Sequence, residues 1–271
     1  MNLTTIDLNE TQFKKISTIV YRSCGIDLGR GKKALVRARL SKRLRALDLP
    51  DFEAYLKYVK SKEGAPELCC MIDAITTNKT GFFREVEHFN FLREHILPEA
   101  SDKKIRYWSA ACSSGEEPFS LAILLRECIR DIDSKDCLIL ATDISTRMLE
   151  KARNAVYCKS QLRELPKTLI KKYFCEVDSG TLKSYGVKDE VRALVRFARL
   201  NLMNVWPMKG PFNIIFCRNV MIYFDKPTQH KLIDRFWDLL KPGGYLFVGH
   251  SECLSAVPHR FTYVRPAIYR K

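Results

Sequence analysis

Three acidic side chains stand where two apolar runs end. Glu116 and Glu117 follow the small-residue turn Ala110-Ala111-Cys112-Ser113-Ser114-Gly115, which closes the run Ile105, Tyr107, Trp108. Asp143 closes a second run, Leu138-Ile139-Leu140. An acid one βαβ step beyond a tight turn is placed to accept hydrogen bonds from ribose hydroxyls, and small side chains in the turn let a ligand approach the backbone. The turn lacks the glycine triplet that brings a pyrophosphate onto a helix N-terminus. It also sets two carboxylates where a phosphate would take bare N–H groups. That chemistry suits a cationic ligand with hydroxyls and an ammonium, such as S-adenosylmethionine. The plainer alternative is that the two glutamates only complement a helix dipole.

A third apolar run, Phe212 to Cys217, leads into Arg218-Asn219, with Tyr223 close behind. A cation there suits an anionic substrate. Arg218, Arg84 and Tyr223 can each orient a carboxylate without taking its proton. Amino-group methylation of adenine often uses an Asn/Asp-Pro-Pro-Tyr/Phe turn; Arg218-Asn219-Val220-Met221 has neither proline. His250, beside Ser251-Glu252, lacks a nucleophile-elbow glycine pattern and reads as structural or as a pocket-wall histidine.

These residues need strands and helices to hold them. Pro118 in a first helical turn, followed by Phe119, Leu121, Ala122, Leu124 and Leu125, predicts a helix after Gly115. A fourth strand, Gly244 to Val248, follows the turn Lys241-Pro242-Gly243, and Tyr263 with Ala267 to Tyr269 predicts a closing hairpin. The pattern is that of an α/β doubly wound sheet, whose ligands bind outside the carboxyl ends of the strands. Between Val156 and Asn201, turn signals at Asp178-Ser179-Gly180 and Tyr185-Gly186 separate short runs, the last being Val191 to Arg199. They predict a small antiparallel β-subdomain inserted at about 157–200.

The chain before this is helical. Phe13, Ile16 and Val20 form one stripe, ended by Gly25; Val36, Leu40, Leu44 and Leu47 form another. Pro50-Asp51 opens a third helix with Phe52, Tyr55, Leu56 and Val59 inward. The second stripe lies in a segment holding eight cations, Arg30, Lys32, Lys33, Arg37, Arg39, Lys42, Arg43 and Arg45, with no acid among them. Their mutual repulsion favours a binding role over a merely solvated face. Residues 1–74 therefore read as an all-α domain and 75–271 as the α/β domain.

The 271 residues carry a net charge of +15, which points to an acidic partner without choosing among nucleic acid, membrane and protein. The ten cysteines show no CxxC pair and read as free thiols; no metal is expected. The opening residues lack a signal-peptide core and no apolar run reaches spanning length, so the cytoplasm is the expected location.

Five segments in order, ITTNKTGFFRE (75–85), WSAACSSGEEPFSLA (108–122), ATDIS (141–145), FCRNVMIYFDK (216–226) and LLKPGGYLFVGHSE (239–252), resemble the CheR-type chemotaxis receptor methyltransferases. The resemblance implies a class I methyltransferase using S-adenosylmethionine, with S-adenosylhomocysteine as product, that esterifies receptor glutamates. It implies cofactor contacts from Asn78, Thr80, Arg84, Glu117, Asp143, Arg218 and Asn219, with Asn201-Leu202 around the adenine. Phe82 and Phe83 are expected to anchor their loop in the core. The basic helix, through Arg37, Lys42 and Arg45, would meet the acidic methylation helices of chemoreceptors, and the inserted subdomain would dock the receptor. The expected enzyme is a monomer that neither binds nucleic acid nor enters the membrane. An RNA or DNA methyltransferase, or a catalytically silent receptor adaptor, are the competing readings.

Overall fold

The computed structural model describes residues 6–98, 104–177 and 183–271, so the expected turn Asp178-Ser179-Gly180 lies outside it. The chain divides into two units. One holds the described residues through Thr77 together with Tyr223–Asp225; the other holds Asn78–Ile222 and Lys226–Lys271.

The first unit is helical: α1 (Glu10–Cys24), α2 (Lys33–Ala46), α3 (Phe52–Lys60) and α4 (Ala65–Ile75). Asn9 and Gln12 cap α1 reciprocally, each side chain accepting the other's backbone N–H at 2.8 and 3.1 Å. Gly25 ends α1 at φ 74°, a left-handed conformation glycine takes without strain. Val36, Leu40 and Leu44 are the buried stripe of α2. The expected repulsion among its cations is relieved by acids from elsewhere in the chain. Arg43 pairs with buried Glu67 at 2.6 Å, Lys33 with Glu10 at 2.7 Å and Arg37 with exposed Asp7 at 3.3 Å. Arg39 donates to the Ile75 and Thr76 carbonyls at the end of α4. Lys42 and Arg45 are exposed and form no ion pair among the described residues. Segment 223–225 completes the unit: Phe224 bridges Ile26 antiparallel, the Asp27 N–H donates to the Tyr223 carbonyl at 2.8 Å, and the Tyr21 hydroxyl donates to Asp225 at 2.7 Å.

The second unit runs α5 (Val86–Phe91), β1 (Lys104–Ser109), α6 (Glu116–Cys128), β2 (Asp136–Asp143), α7 (Thr146–Asn154), β3 (Val156–Cys158), α8 (Lys167–Tyr173), β4 (Phe174–Val177), β5 (Ser184–Val187), α9 (Asp189–Arg192), β6 (Val195–Arg199), β7 (Phe212–Cys217), α10 (Lys226–Leu239), β8 (Leu240–Val248), β9 (Thr262–Arg265) and β10 (Ile268–Arg270). Seven strands form one sheet in the order β6-β2-β1-β7-β8-β10-β9. The first five are parallel, and β10 and β9 close one edge as an antiparallel hairpin. Chain order reverses between β1 and β7, the position where doubly wound sheets open a crevice at their carboxyl ends. Trp108 is fully buried and its indole N–H donates to the Thr142 hydroxyl at 2.9 Å, while Phe216 and Phe247 stack at 4.4 Å.

A separate antiparallel sheet, β3-β5-β4, forms the insertion. It is shorter than the sequence reading had it. The run Val195 to Arg199 pairs parallel with Ile139 to Asp143 and belongs to the large sheet. Its alternation of apolar and basic residues suits an edge strand of either sheet, so periodicity alone did not separate the two.

Candidate active site

The β1–α6 turn is pinned from both neighbouring strands. The Ala110 N–H donates to the Phe216 carbonyl at 2.8 Å and the Cys112 N–H to the Thr142 carbonyl at 2.9 Å. Gly115 sits at φ 97°, and a Cβ there would meet Ala152 Cβ and the Tyr157 hydroxyl at 3.0 Å. Glycine is needed for both reasons.

Asp143, at the carboxyl end of β2, accepts the Ser113 N–H on one carboxylate oxygen at 2.8 Å and the Ser145 N–H on the other at 2.9 Å. A carboxylate has about four acceptor sites. These two bonds fix the orientation of the carboxylate at the strand end. Beside it, Arg199 registers with Asp143 across β6 and β2, and the Leu200 N–H donates to the Asp143 carbonyl at 3.0 Å. This brings Asn201-Leu202 to the same end of the sheet. Asn201 turns its side chain onto the Met203 N–H at 3.0 Å, and Leu202 is buried.

The two turn glutamates differ. Glu116 takes the Ser114 hydroxyl at 2.7 Å and the Gln161 amide at 3.1 Å, and burial holds its carboxyl above the usual carboxylate range. It secures the turn. Glu117 accepts the Ser109 hydroxyl at 2.7 Å and pairs with Arg218 at 2.9 Å. Arg218, only 5% exposed at the end of β7, is also paired with Glu85 at 3.1 Å and donates to the Arg84 carbonyl. A buried guanidinium between two carboxylates satisfies the rule that buried charges are paired.

The loop from Asn78 to Glu85 lies on this turn. The Ser113 hydroxyl donates to the Asn78 carbonyl at 3.2 Å, and the Phe83 N–H to the Ser120 hydroxyl at 2.9 Å. Phe82 is buried edge-on to Tyr157 at 4.9 Å, whereas Phe83 is half-buried. Arg84 donates to the Lys79 carbonyl at 2.6 Å, and Thr80 is half-buried. Asn219, at φ 57°, donates its side-chain amide to Glu85 at 3.1 Å. Its own N–H goes to Glu252 at 2.7 Å; Glu252 also takes the Ile222 N–H at 3.2 Å and the Gly249 N–H at 2.6 Å. A Cβ on Gly249 would fall 2.5 Å from the Asn219 amide nitrogen.

Asn78, Thr80, Arg84, Glu117, Asp143, Asn201, Leu202, Arg218 and Asn219 thus all lie in the second unit. Tyr223, with Lys32 Nζ 5.3 Å from its ring centre, belongs to the helical unit, as do Arg37, Lys42 and Arg45. Sequence reasoning missed Glu85 and Glu252. Both stand in the quoted motifs, as the last letters of FFRE and GHSE. The Asn219 groups that they hold lie 134 and 33 residues away in the chain, beyond any local signal.

Residues 78–269 match the family model described as the SAM binding domain of CheR methyltransferase, and residues 11–76 match the CheR methyltransferase all-alpha domain. The chain is 42% identical over 258 residues to a probable chemotaxis protein methyltransferase of Rhizobium etli, covering 93% of this chain and 96% of the relative. It is 42% identical over 257 residues to a chemotaxis protein methyltransferase of Klebsiella aerogenes, covering 94% and 88%. A chemotaxis protein methyltransferase of Escherichia coli is 40% identical over 263 residues, covering 97% and 91%. With both family models matched in order and these relatives aligned over most of their length, the chain belongs to the CheR methyltransferase family of chemotaxis and uses S-adenosylmethionine.

Proposed function

We propose that this protein methylates glutamate side chains on the cytoplasmic helices of chemoreceptors, giving methyl esters. The observation that carries the reading is the buried Arg218 at the end of β7, where amine-methylating enzymes often place an Asn-Pro-Pro turn. A cation suits an acceptor that is already anionic. The bound cofactor supplies an electrophilic methyl on a sulfonium. A glutamate is ionised at neutral pH, so no strong base is needed. The protein's work is to strip water from that carboxylate and hold it in line.

Arg218 is already held by Glu85 and Glu117, so it contributes a guanidinium fixed in place rather than a free cation. Direct orientation of the incoming carboxylate then falls to Arg84 and Tyr223. A tyrosine hydroxyl is the gentler contact, because a tight guanidinium pair would blunt the nucleophile. The exposed cations Lys42 and Arg45, with Arg37, would meet the acidic receptor surface. In this scheme residues 1–74 recognise the receptor and 75–271 perform transfer, as a cytoplasmic monomer. No helix among the described residues is long and apolar enough to cross a membrane.

The test is tritium transfer from labelled S-adenosylmethionine to receptor-containing membranes, followed by mild alkali. Release of volatile methanol is the expected result. Alkali-stable label in nucleic acid would establish the rival enzyme, and absence of label on any receptor would leave a cofactor-binding adaptor.

A further inference from the structure

Glu85 takes a left-handed conformation at φ 58°, immediately before α5. One ligand atom from each of Glu85, His88 and His250 lies within 4.8 Å of the other two. On one carboxylate oxygen of Glu85 converge His88 Nδ1 at 3.6 Å and His250 Nε2 at 4.0 Å. His88 is 1% exposed, and neither of its ring nitrogens has a hydrogen-bond partner. A neutral imidazole carries one N–H and one lone pair, so a buried ring with both unmet is costly and calls for an explanation. Phe216 and Phe247 pack edge-on to the ring and can face one nitrogen; Nδ1 faces Glu85.

We propose that Glu85, His88 and His250 form a binding site for a borderline divalent cation of the zinc class. Two imidazoles and a carboxylate are the donor set such ions take, with water completing four-coordination. The lone pair of His88 would then have a partner. Ligating carboxylates are commonly held by hydrogen bonds of their own. Glu85 has them: the Asn219 amide at 3.1 Å on one oxygen, and the His250 backbone N–H at 3.2 Å and the Arg218 guanidinium at 3.1 Å on the other. Arg218 opposes a second cation, but Glu117 shares its charge and leaves the group of Arg218, Glu85 and Glu117 net negative. The His250 side chain is 47% exposed and gives the ion a way in from solvent. The cysteine pattern that argued against zinc has no bearing on a histidine–carboxylate set. The proposal does not depend on which acceptor is methylated.

Cobalt(II) titrated into the metal-free full chain, followed by visible absorption and equilibrium dialysis, tests the site. One ion per chain is expected, with the d–d bands of a four-coordinate N/O site that zinc then displaces. His250→Ala, at an exposed position, should fold normally, keep its cofactor affinity and weaken cobalt binding at least about tenfold. His88→Gln, checked for folding by circular dichroism, should do the same. Failure to bind one ion per chain, binding unchanged in His250→Ala, or near-ultraviolet thiolate-to-cobalt charge transfer from the free cysteines would each overturn the assignment.

Discussion

The Glu252 carboxylate holds the Asn219 N–H at 2.7 Å and the Ile222 N–H at 3.2 Å, and so clamps both ends of the segment that follows Arg218. A glutamine offers one acceptor oxygen and turns an NH₂ toward the other donors. Glu252→Gln should therefore loosen this segment, at about 1.5–3 kcal/mol for the charged hydrogen bonds lost. The expected outcome is a fall in kcat of about tenfold or more, equivalent to about 1.4 kcal/mol, with S-adenosylhomocysteine affinity changed far less. Steady-state transfer and calorimetry measure the two. Equal losses in both would make Glu252 a general packing residue.

Asp143→Ala should weaken S-adenosylmethionine binding by about 1.5–3 kcal/mol, the worth of hydrogen bonds to a charged group. Because Asp143 also holds the Ser113 and Ser145 N–H groups, the melting temperature should fall as well. Calorimetry on the folded variant decides the point; unchanged affinity would leave Asp143 as a turn clamp alone.

On α2, the triple change Arg37, Lys42 and Arg45 to Ser should impair receptor methylation while cofactor affinity and melting temperature stay near wild type. The loss should resemble raising ionic strength, since exposed charges are screened over about 10 Å at 0.1 M salt. Arg43 is different: its partner Glu67 is buried, and Arg43→Ser should cost about 3–5 kcal/mol of stability in the helical unit. Normal methylation by the triple variant at low and high salt would reduce that face to a solvated surface.

Tyr223→Phe keeps the ring under Lys32 and removes only the hydroxyl. A contact made mainly in the transition state lowers kcat and kcat/KM together. If kcat stays within about twofold, a barrier change of about 0.4 kcal/mol, Tyr223 does not orient the substrate and Arg84 must.

Burial raises the Glu116 carboxyl in the folded chain above its unfolded value. The unfolded chain therefore releases this proton first as pH rises past the ordinary carboxylate value. Stability falls from there until the folded group ionises. Glu116→Gln, which can still accept from Ser114, should flatten melting temperature against pH across that window. Calorimetric scans through the acid range check it; identical pH profiles would show that Glu116 is not the group responsible.

Where the candidate site residues fall in the fold was legible because they sit at strand ends, and strand ends are marked by local signals. The small-residue turn, Asp143 and Arg218 each follow an apolar run. Pairing was not legible. Nothing near Arg218 in sequence says that Glu85 and Glu117 neutralise it, and nothing near α2 says that Glu67, Glu10 and Asp7 answer its cations. The same limit misplaced Val195 to Arg199: its partner Ile139 to Asp143 lies across a whole inserted sheet.

The Ile26–Phe224 bridge has a temporal consequence. The segment that completes the first helical unit is made about 200 residues after the residue it pairs with. At about 5–20 residues per second on the ribosome, α1 to α4 stand complete for about 8–30 seconds without that closing piece. A fragment ending at Thr77 would stay in that state permanently. It would lose both the bridge and the Tyr21–Asp225 hydrogen bond, so an isolated helical domain is a poorer mimic of the native one than its sequence boundary suggests.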